Sequence, residues 1–579
     1  MSSAGSSPIL SQKCNEEPPP NAHPSTPSYM LHSEYNPSTL ETAQILGLIE
    51  EEERLVECCD VELTRLEGLT TELKEKKLSV EQRIRERRMV VSAIRKVPDE
   101  IWDEIFYRVC TDPNYMLDIS TSRSLESNIT TARALCLSHT CSHWRRRTFS
   151  RPVLWSSMSV SVNLPPPGAN ELIELYLHNS GSHPLTMNIA DVFRDEYELP
   201  EPGPQDMLEY FGRSGERVIY TLLRNVWRCS ELSLHMHWSV LRDFGHGLGV
   251  SFPHLQTLNT DVDFSLGVDE PESWVWNALR NAPKLTTVVT HDVIEEFHIF
   301  PYSRLASLEI SHEVTVDFVL DLLHHAQSLK TLKLWMIHGT YVPEIVAPTT
   351  PFTHPSLEHL EFTVTDFSQV ISMFTLFTLS HLKRLEVTVT SFTGNDDARR
   401  AFLSMLRRSL ALDVLYLKTP YLENVVYTDI LAACPKVSMF HAHVERRSIS
   451  IPSTNIIKFL QALTIQPDAP SSIPVLGPKL EKLRIYIEGH NACSPDIQVV
   501  EATVEFAESR SKTKLLAMCR DDISRLRSID IDYHTWLISS DGGWTGNAKS
   551  LFDPSLQARV QALERDGITC RCEESTTKV

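Results

Sequence analysis

A short spacing of apolar residues, repeated many times from residue 255 onwards, constrains the fold of this chain more than any other feature. In most copies a leucine is followed three residues later by a second leucine and two residues after that by another apolar residue, as in Leu329-Lys-Thr-Leu-Lys-Leu. The copies begin at Leu255, Leu285, Leu305, Leu329, Leu357, Leu382, Leu412, Val437, Leu480 and Leu526. Alternate residues of a β-strand point to opposite faces, so each copy predicts a short strand with one apolar face. A single strand cannot bury that face, and the copies must therefore stack side by side.

The distance between copies indicates the kind of array. Successive copies begin about 20 to 30 residues apart through the first eight, which is the period of leucine-rich repeats. Many copies follow an X-Pro pair, such as Ala282-Pro, that ends the preceding helix. We therefore predict an α/β fold with an irregular leucine-rich-repeat solenoid of parallel strands and helices at 221–540. A connecting helix and strand region is predicted at 159–220, and a cap with a frayed tail at 541–579.

The outward residues of the repeat strands would line the concave face, where solenoids usually bind their partners. In three neighbouring copies they are Lys330, Thr331 and Lys333, then Glu358, His359 and Glu361, then Lys383, Arg384 and Glu386. Their mixed charge fits a polar protein partner, and it fits a solvated face equally well. Both interpretations stay open at this point.

Two segments of contrasting composition begin the chain. Residues 1–38 are rich in Ser and Pro and predict a disordered tail. Residues 39–91 contain no proline and many charged residues, and they predict a long helix. One heptad register places Ile45, Glu52, Cys59, Leu66, Leu73 and Val80 at a, and Leu48, Leu55, Glu62, Leu69, Lys76 and Arg83 at d. The register is apolar mainly in its middle, so a helix packed on its own chain and a homodimeric coiled coil both remain compatible with it.

The stretch from Ile94 to Trp155, here called the motif segment, predicts a small helical module. Its first helix begins at Pro98, with acidic residues in the first turn to suit the helix dipole. Bulky residues then follow at the spacing of a wide apolar stripe: Ile101, Trp102, Ile105, Phe106 and Val109. The polar stretch 111–131 predicts a long loop, and helical character returns at Ala132 and ends at Pro152. The apolar stripe is wider than a small bundle easily covers, which favours a contact with another protein.

The motif segment also resembles an F-box, the adaptor-binding module of cullin-type ubiquitin ligases. The resemblance is carried by Val97-Pro98, Glu100-Ile101, Ile105-Phe106, Cys141-Ser-His-Trp144-Arg145 and Pro152-Val-Leu-Trp155. It departs from the family pattern at Val97, Trp102 and Thr140. The F-box would span 92–158, with three helices and the polar insertion at 111–131. The complete layout is similar to the large F-box family of mushroom-forming (basidiomycete) fungi.

This resemblance implies a substrate-recognition subunit of an SCF ubiquitin ligase. The F-box would dock on a Skp-type adaptor of the cullin complex, and the leucine-rich repeats would bind a protein target that the sequence does not identify. The implied adaptor-binding residues are Pro98, Ile101, Trp102, Ile105, Phe106, Leu135 and Trp144. The alternative is a leucine-rich-repeat binding scaffold whose F-box no longer engages the ligase.

Other classes of function find little support. The sequence has neither a Gly-rich phosphate loop nor a G-x-S-x-G or H-E-x-x-H motif, so we predict neither catalysis nor a cofactor. Two groups contain side chains of the type that binds zinc: Cys136, His139, Cys141 and His143, and Cys570 with Cys572. Neither group pairs its ligands as structural zinc sites do, and we predict no metal.

Charge and cysteine usage limit the partners and the compartment. The net charge of −20 argues against nucleic acid as a partner. A membrane is also not expected, because apolar residues nowhere run for the length of a membrane-spanning helix. Scattered cysteines and the lack of an apolar leader predict a protein of the cytoplasm and/or nucleus.

Overall fold

A computed structural model describes residues 28, 36–91, 96–111, 115–121, 128–163, 165–190, 207–236, 249–261, 278–291, 300–339, 352–391, 395–419, 424–446, 453–466, 475–489, 497–511, 515, 523–537 and 554–578. The chain divides into two compact units, residues 1–102 and 103–579. The disordered tail predicted at 1–38 lies almost wholly outside the described residues. The predicted boundaries at 158, 220 and 540 all fall inside the second unit.

The described residues alternate between helices and strands. The helices are α1 (Thr39–Val90), α2 (Asp99–Thr111), α3 (Arg133–Thr140), α4 (Ser142–Phe149), α5 (Ala169–Asn179), α6 (Met207–Leu223), α7 (Val316–His325), α8 (Ile371–Leu376), α9 (Asp396–Arg408), α10 (Asn424–Ala433), α11 (Ser453–Leu463), α12 (Ile497–Ser509) and α13 (Pro554–Arg565). The strands are β1 (Leu117–Thr121), β2 (Asn128–Ala132), β3 (Ser157–Ser161), β4 (Leu185–Ala190), β5 (Cys229–His235), β6 (Thr257–Thr260), β7 (Thr287–Thr290), β8 (Ser307–Thr315), β9 (Thr331–His338), β10 (Phe352–Thr353), β11 (His359–Val364), β12 (Phe377–Thr378), β13 (Arg384–Val389), β14 (Val414–Thr419), β15 (Met439–Arg446), β16 (Lys482–Gly489), β17 (Ser528–Leu537) and β18 (Thr569–Lys578).

One long sheet organises the second unit. Among the described residues it contains 16 strands in the order β18-β17-β16-β15-β14-β13-β11-β9-β8-β7-β6-β5-β4-β3-β1-β2. Neighbouring strands are parallel except for β1 and β2, which are antiparallel. Every repeat copy yields a strand that begins two residues after the first apolar residue of the copy, as Leu329 is followed by β9 at Thr331. The predicted mixed α/β architecture, with parallel strands stacked as in a solenoid, is confirmed.

The apolar residues of each copy form the core behind the sheet. In the copy of β9, Leu329, Leu332 and Leu334 are buried, whereas Thr331 and Lys333 between them are half-buried on the other face. Burying a leucine contributes about 1.5 to 3 kcal/mol, and every added copy extends this core by several such side chains. The periodic leucines therefore account for both the strands and their stacking.

The turns before the strands have their own stabilising contacts, of which the turn at His354 is an example. Its imidazole is completely buried. Nδ1 accepts a hydrogen bond from the backbone N–H of Leu357 at 3.1 Å, and Nε2 donates to the carbonyl of Ala326 at 3.1 Å. Burial lowers the pKa of His354, so the neutral ring remains both a donor and an acceptor at neutral pH. His354 thus joins the end of one repeat to the start of the next.

The prediction of a long loop at 111–131 is wrong for the described part of that segment. β1 and β2 form an antiparallel pair, and β1 also pairs in parallel with β3. Ser and Thr are tolerated in strands, and pairing with an existing strand satisfies backbone groups that a loop would leave to water. Because Leu117 and Ile119 are buried, the hairpin extends the sheet and its core.

The prediction of a frayed end at 541–579 is also wrong for its last residues. β18 pairs with β17 in parallel over ten residues, from Thr569 opposite Ser528 to Lys578 opposite Leu537. Residues 541–553 lie outside the described residues. Burial raises the pKa of Cys570 to about 12, so its thiol stays protonated at neutral pH.

The first unit contains the long helix α1 of 52 residues. Ser38 caps its first turn, since the side chain accepts from the backbone N–H of Glu41 and the carboxylate of Glu41 accepts from the backbone N–H of Ser38. Within the described ranges, no helix combines the length and the hydropathy needed to cross a bilayer.

Candidate functional site

Helix α2 carries two adjacent apolar stripes that lie in different environments. One stripe is buried, with at most 6% of each side chain exposed: Trp102, Phe106 and Cys110. The other is exposed, with between 39% and 51% of each side chain accessible, and is called the exposed stripe below: Ile101, Ile105 and Val109. Residues four apart lie on one face of a helix, so each stripe is continuous. The exposed stripe offers an aliphatic surface to a partner.

The end of α2 is held against α4 by packing and by charge. The ring of Phe106 meets the indole of Trp144 edge to face, with centroids 5.0 Å apart. Asp103 forms ion pairs with Arg147, at 3.4 Å, and with Arg151. These contacts fix the rotation of α2 from residue 103 onwards, which determines that Ile105 and Val109 face outwards.

The closing Pro152–Trp155 turn connects the motif segment to the sheet. Trp155 is fully buried, donates its indole N–H to the carbonyl of Thr148 at 2.9 Å, and packs edge to face on Tyr176. The Tyr176 hydroxyl donates to the carbonyl of Met116, immediately before β1, at 3.2 Å. The motif helices after residue 103 therefore share one core with the first strands.

The predicted adaptor-binding residues divide into three groups. Pro98, Ile101 and Ile105 are exposed, Leu135 and Trp144 are partly exposed, and Trp102 and Phe106 are buried. Phe106 belongs to the core of the second unit, and adaptor contact stays a prediction for all seven residues. Val109 belongs to the predicted apolar stripe but not to the seven implied contacts, although it follows Ile105 at the same i+4 spacing that relates Ile105 to Ile101.

The suspected zinc ligands of the motif segment are on the surface. Cys136, His139, Cys141 and His143 are all exposed. Cys141 has a local structural role, because its sulfur accepts a hydrogen bond from the backbone N–H of Trp144 at 3.4 Å and so caps α4. Capping explains the cysteine at this position of the motif without a metal.

The second candidate surface is the half-exposed face of the sheet, called the outward face below. Parallel pairing places equivalent residues of neighbouring strands side by side, as with Glu309, Lys333 and Glu361. The ammonium group of Lys333 lies 3.9 Å from the carboxylate of Glu309 and 3.3 Å from that of Glu361. The predicted outward residues of β9 and β11 are thus brought together as a row of alternating charge.

The row continues into a cluster around Glu386. Its carboxylate accepts hydrogen bonds from His359 Nε2, at 3.1 Å, and from Arg384 Nε at 2.5 Å. These two donors, His359 first, lower the pKa of Glu386 to about 2. Possible ligand atoms of His359, Glu361 and Glu386 lie within 4.8 Å of one another. Because these carboxylates already have cationic partners, a metal ion would have to displace the protein's own charges.

Replacing Glu386 with glutamine tests the energetic role of this cluster. Because the folded pKa lies below the ordinary value, the carboxylate stabilises the fold above about pH 4.5, and this contribution disappears as the pH falls towards 2. We expect Glu386→Gln to lower the free energy of unfolding by about 1 to 2 kcal/mol at pH 7, a value discounted for solvent screening. Urea denaturation at pH 7 and pH 3 should show that the difference in free energy of unfolding between variant and wild type is smaller at pH 3. A larger difference at pH 3 would contradict the assignment. Glu358→Gln, at an exposed pair with Lys383, is the control and should have a smaller effect.

Strands β14 to β16 form a cavity of about 250 Å³ on the same face. Its walls are Tyr416, His441, Ala442, His443, Arg484 and Tyr486. His443 Nδ1 lies 3.1 Å from the hydroxyl of Tyr416, and its ring packs edge to face on Tyr486 with centroids 4.4 Å apart. Burial, followed by the charges of Arg484 and Arg384, lowers the pKa of His441, so this ring is neutral at pH 7. The cavity combines aromatic walls with hydrogen-bonding edges, which suits a side chain of a protein partner.

An exposed tryptophan lies elsewhere on the outward face. Trp335 follows Lys333 by two residues on β9, and 64% of its side chain is accessible. The strand pairing shifts register next to it, between Phe362 and Val364 of β11. The irregularity interrupts the alternation of buried and exposed residues and leaves the indole on the surface.

A larger groove of about 620 Å³ between α5 and α6 is lined by charged side chains of both signs, and it indicates no particular ligand.

Comparison with known proteins leaves the family open. No protein-family model matches the chain, and no curated protein matches it. Among the solved structures that do match, a protein from Bacteroides fragilis is 14% identical with a TM-score of 0.23, over 56% of this chain and 68% of the other. The yeast complex of Rad7 and Elc1 contains a chain that is 14% identical with a TM-score of 0.28, over 62% of this chain and 94% of the other. Similarities this distant carry no argument about function.

Proposed function

We propose that this protein is the substrate-recognition subunit of a cullin-type (SCF) ubiquitin ligase, acting in the cytoplasm or the nucleus. The observation that carries the proposal is the exposed stripe of α2, which lies within a segment that resembles an F-box and is otherwise packed around Phe106, Trp144 and Trp155. An aliphatic surface on a well-held helix costs free energy in water unless a partner covers it. In this proposal the partner is a Skp-type adaptor.

The adaptor contact would use the exposed stripe and not the buried one. Ile105 and Val109 can enter an apolar groove without rearrangement of the core, because Phe106 and Cys110 hold the opposite side of the helix. Preorganised contacts of this kind require little ordering on binding. Trp102, at which the sequence departs from the family pattern, is buried and leaves the exposed stripe unobstructed.

The target would bind the outward face of the sheet. Trp335 is an exposed aromatic side chain of the kind that dominates interface energies when a partner desolvates it. The cavity between Tyr416 and Tyr486 provides a recess for one side chain of the target. The charged row between Glu309 and Glu386 gives this surface polar specificity.

The protein itself would not catalyse ubiquitin transfer. Its contribution is positional, because holding a target beside a ubiquitin-loaded enzyme raises the effective concentration of the target's lysines. We propose neither a cofactor nor a metal for this role.

Adaptor binding by the full-length chain is the decisive test. The full chain is required because the motif helices share a core with β1 and Tyr176. We expect Ile105→Asp with Val109→Asp to weaken binding to a purified Skp-type adaptor by about 100-fold or more, since burying an unpaired carboxylate in an apolar groove is costly. Ile497→Asp is the matched control, because Ile497 is similarly exposed, at 43% against 39% for Ile105, and lies on α12. Isothermal titration calorimetry measures both.

The same variants separate the ligase from the scaffold alternative. Proximity labelling in cells, with and without proteasome inhibition, should reveal proteins that accumulate near the wild type when the proteasome is blocked. The doubly substituted protein should label the same proteins without that dependence on the proteasome. If the wild type fails to bind the adaptor while its labelled partners do not respond to inhibition, the scaffold alternative is correct and the ligase proposal is wrong.

A further inference from the structure

Helix α1 presents apolar side chains to solvent along its whole length. None of its described side chains is buried, and Leu55, Leu66 and Leu73 are 53%, 46% and 67% exposed. At 1.5 Å per residue its 52 residues extend about 78 Å. Single exposed leucines need no explanation, but a heptad series of them on one helix is typical of a seam that pairs with another helix.

We propose that α1 pairs with α1 of a second copy of this chain to form an antiparallel coiled coil centred near Thr64. The a and d positions place Leu55, Leu66, Leu69 and Leu73 at the middle of the seam. Four polar residues interrupt it and decide between parallel and antiparallel pairing: Glu52, Glu62, Lys76 and Arg83.

A parallel, in-register dimer would pair each of these residues with itself. Glu52 would face Glu52, Lys76 would face Lys76, and the other two layers would also carry like charges. Like charges that face each other across a helix seam destabilise the pairing. The parallel arrangement therefore has four unfavourable layers.

The antiparallel dimer removes these conflicts when residue i faces residue 128 − i, which is the register that brings a positions opposite d positions. Glu52 then faces Lys76 of the other copy, and the two-fold axis creates this attractive pair twice. Leu55 faces Leu73, Leu48 faces Val80, and Cys59 faces Leu69. Glu62 faces Leu66 and Arg83 faces Ile45, so neither of them faces a like charge.

The charge distribution along α1 favours the same direction. From Thr39 to Leu63 the helix has eight acidic residues and one basic residue, Arg54. From Thr64 to Val90 it has eight basic and five acidic residues. Antiparallel pairing places the acidic half of one copy beside the basic half of the other, whereas parallel pairing places like halves together. It also separates the two C-terminal ends of α1 by about 78 Å along the coil.

The seam is tested first by a matched pair of leucines in the full-length protein. Leu73 occupies an a position and Leu78 an f position outside the seam, and their side chains are 67% and 60% exposed in the protomer. Sedimentation equilibrium should show a wild-type dimer, about 100-fold or more weaker association for Leu73→Asp, and unchanged association for Leu78→Asp. Circular dichroism provides the check that both variants keep the fold of the second unit. A wild type that stays monomeric at about 50 μM would overturn the proposal, because coiled coils of this length associate at lower concentrations.

A charge-swap cycle tests the direction. Glu52→Lys alone and Lys76→Glu alone each create two like-charged contacts in the antiparallel dimer, and each should raise the dimer dissociation constant about 10-fold. The double swap Glu52→Lys with Lys76→Glu should return it to within about 3-fold of the wild type. In a parallel dimer every variant leaves both layers like-charged, so unchanged association in the single variants would overturn the antiparallel assignment. Failure of the double variant to recover would overturn the proposed register.

Discussion

Replacing Arg510 with methionine is expected to lower the free energy of unfolding by about 3 kcal/mol. Arg510 follows α12 directly and its side chain is completely buried. Its guanidinium donates to the carbonyl of Gly477 at 2.8 Å and to that of Leu476 at 2.6 Å. It also lies over the ring of Phe506, at 5.4 Å from the ring centroid.

The effect is expected to be large because these carbonyls have a structural task. Leu476 and Gly477 form the turn into the repeat of β16, where Gly477 adopts φ of +57° and a proline follows. Methionine fills much of the same volume but donates no hydrogen bond, so the carbonyl of Leu476 loses this charged donor and that of Gly477 keeps only the bond from the backbone N–H of Leu480. Burial lowers the pKa of Arg510 to about 10, so the group is still a cation at pH 7 and keeps all its donors.

Denaturant titration measures the loss, and hydrogen exchange should locate it in β16 and its neighbours, since each repeat is stabilised mainly by adjacent repeats. Arg510→Lys should recover only part of the stability, because an ammonium group cannot reproduce the planar pair of donors. The control is Arg527→Met, which breaks an exposed ion pair with Glu481 and should change stability by about 0.5 kcal/mol or less. Equal losses for Arg510→Met and Arg527→Met would show that the buried contacts are not important for stability.

Phe106→Ala is the second substitution with a large expected effect, a loss of about 3 to 4 kcal/mol. The ring is 1% exposed and packs on Trp144, so its removal leaves a cavity where α2 meets α4. Ile105→Ala on the neighbouring stripe should cost about 1 kcal/mol or less, because that side chain is already 39% exposed.

The two substitutions should therefore affect different properties, one the thermal stability and the other the adaptor binding. Phe106→Ala should mainly reduce thermal stability, whereas Ile105→Ala should leave stability nearly unchanged and weaken adaptor binding. Differential scanning calorimetry and the adaptor titration together make this distinction. If Phe106→Ala unfolds at the wild-type temperature, the ring is not part of the core, and the division of α2 into a buried and an exposed stripe is wrong.

The repeat strands could be predicted almost to the residue. Each begins two residues after the first apolar residue of its copy, because the leucines that define the copy are the side chains that the stacked strands bury. The helix before Gly181 and the strand after it were predictable for a related reason, since Gly181 adopts φ of +53° where α5 ends. The spacing of apolar residues predicts where a helix or strand lies because it reflects the period of that element. It does not depend on which residues of the chain pack against the element.

The contacts between segments that are distant in the sequence could not be predicted from local spacing. The Ser- and Thr-containing residues 117–121 become β1 because β3 offers them a strand to pair with, and the last residues become β18 because β17 does. Five of the seven implied adaptor contacts lie close together in the sequence, at residues 98–106, yet Phe106 is buried against Trp144 while Ile105 stays 39% exposed. The wide apolar stripe indicated only that α2 has more apolar surface than one neighbour covers. Which side of the helix remained available depended on Asp103, Arg147 and Arg151, which fix its rotation through contacts between residues distant in sequence.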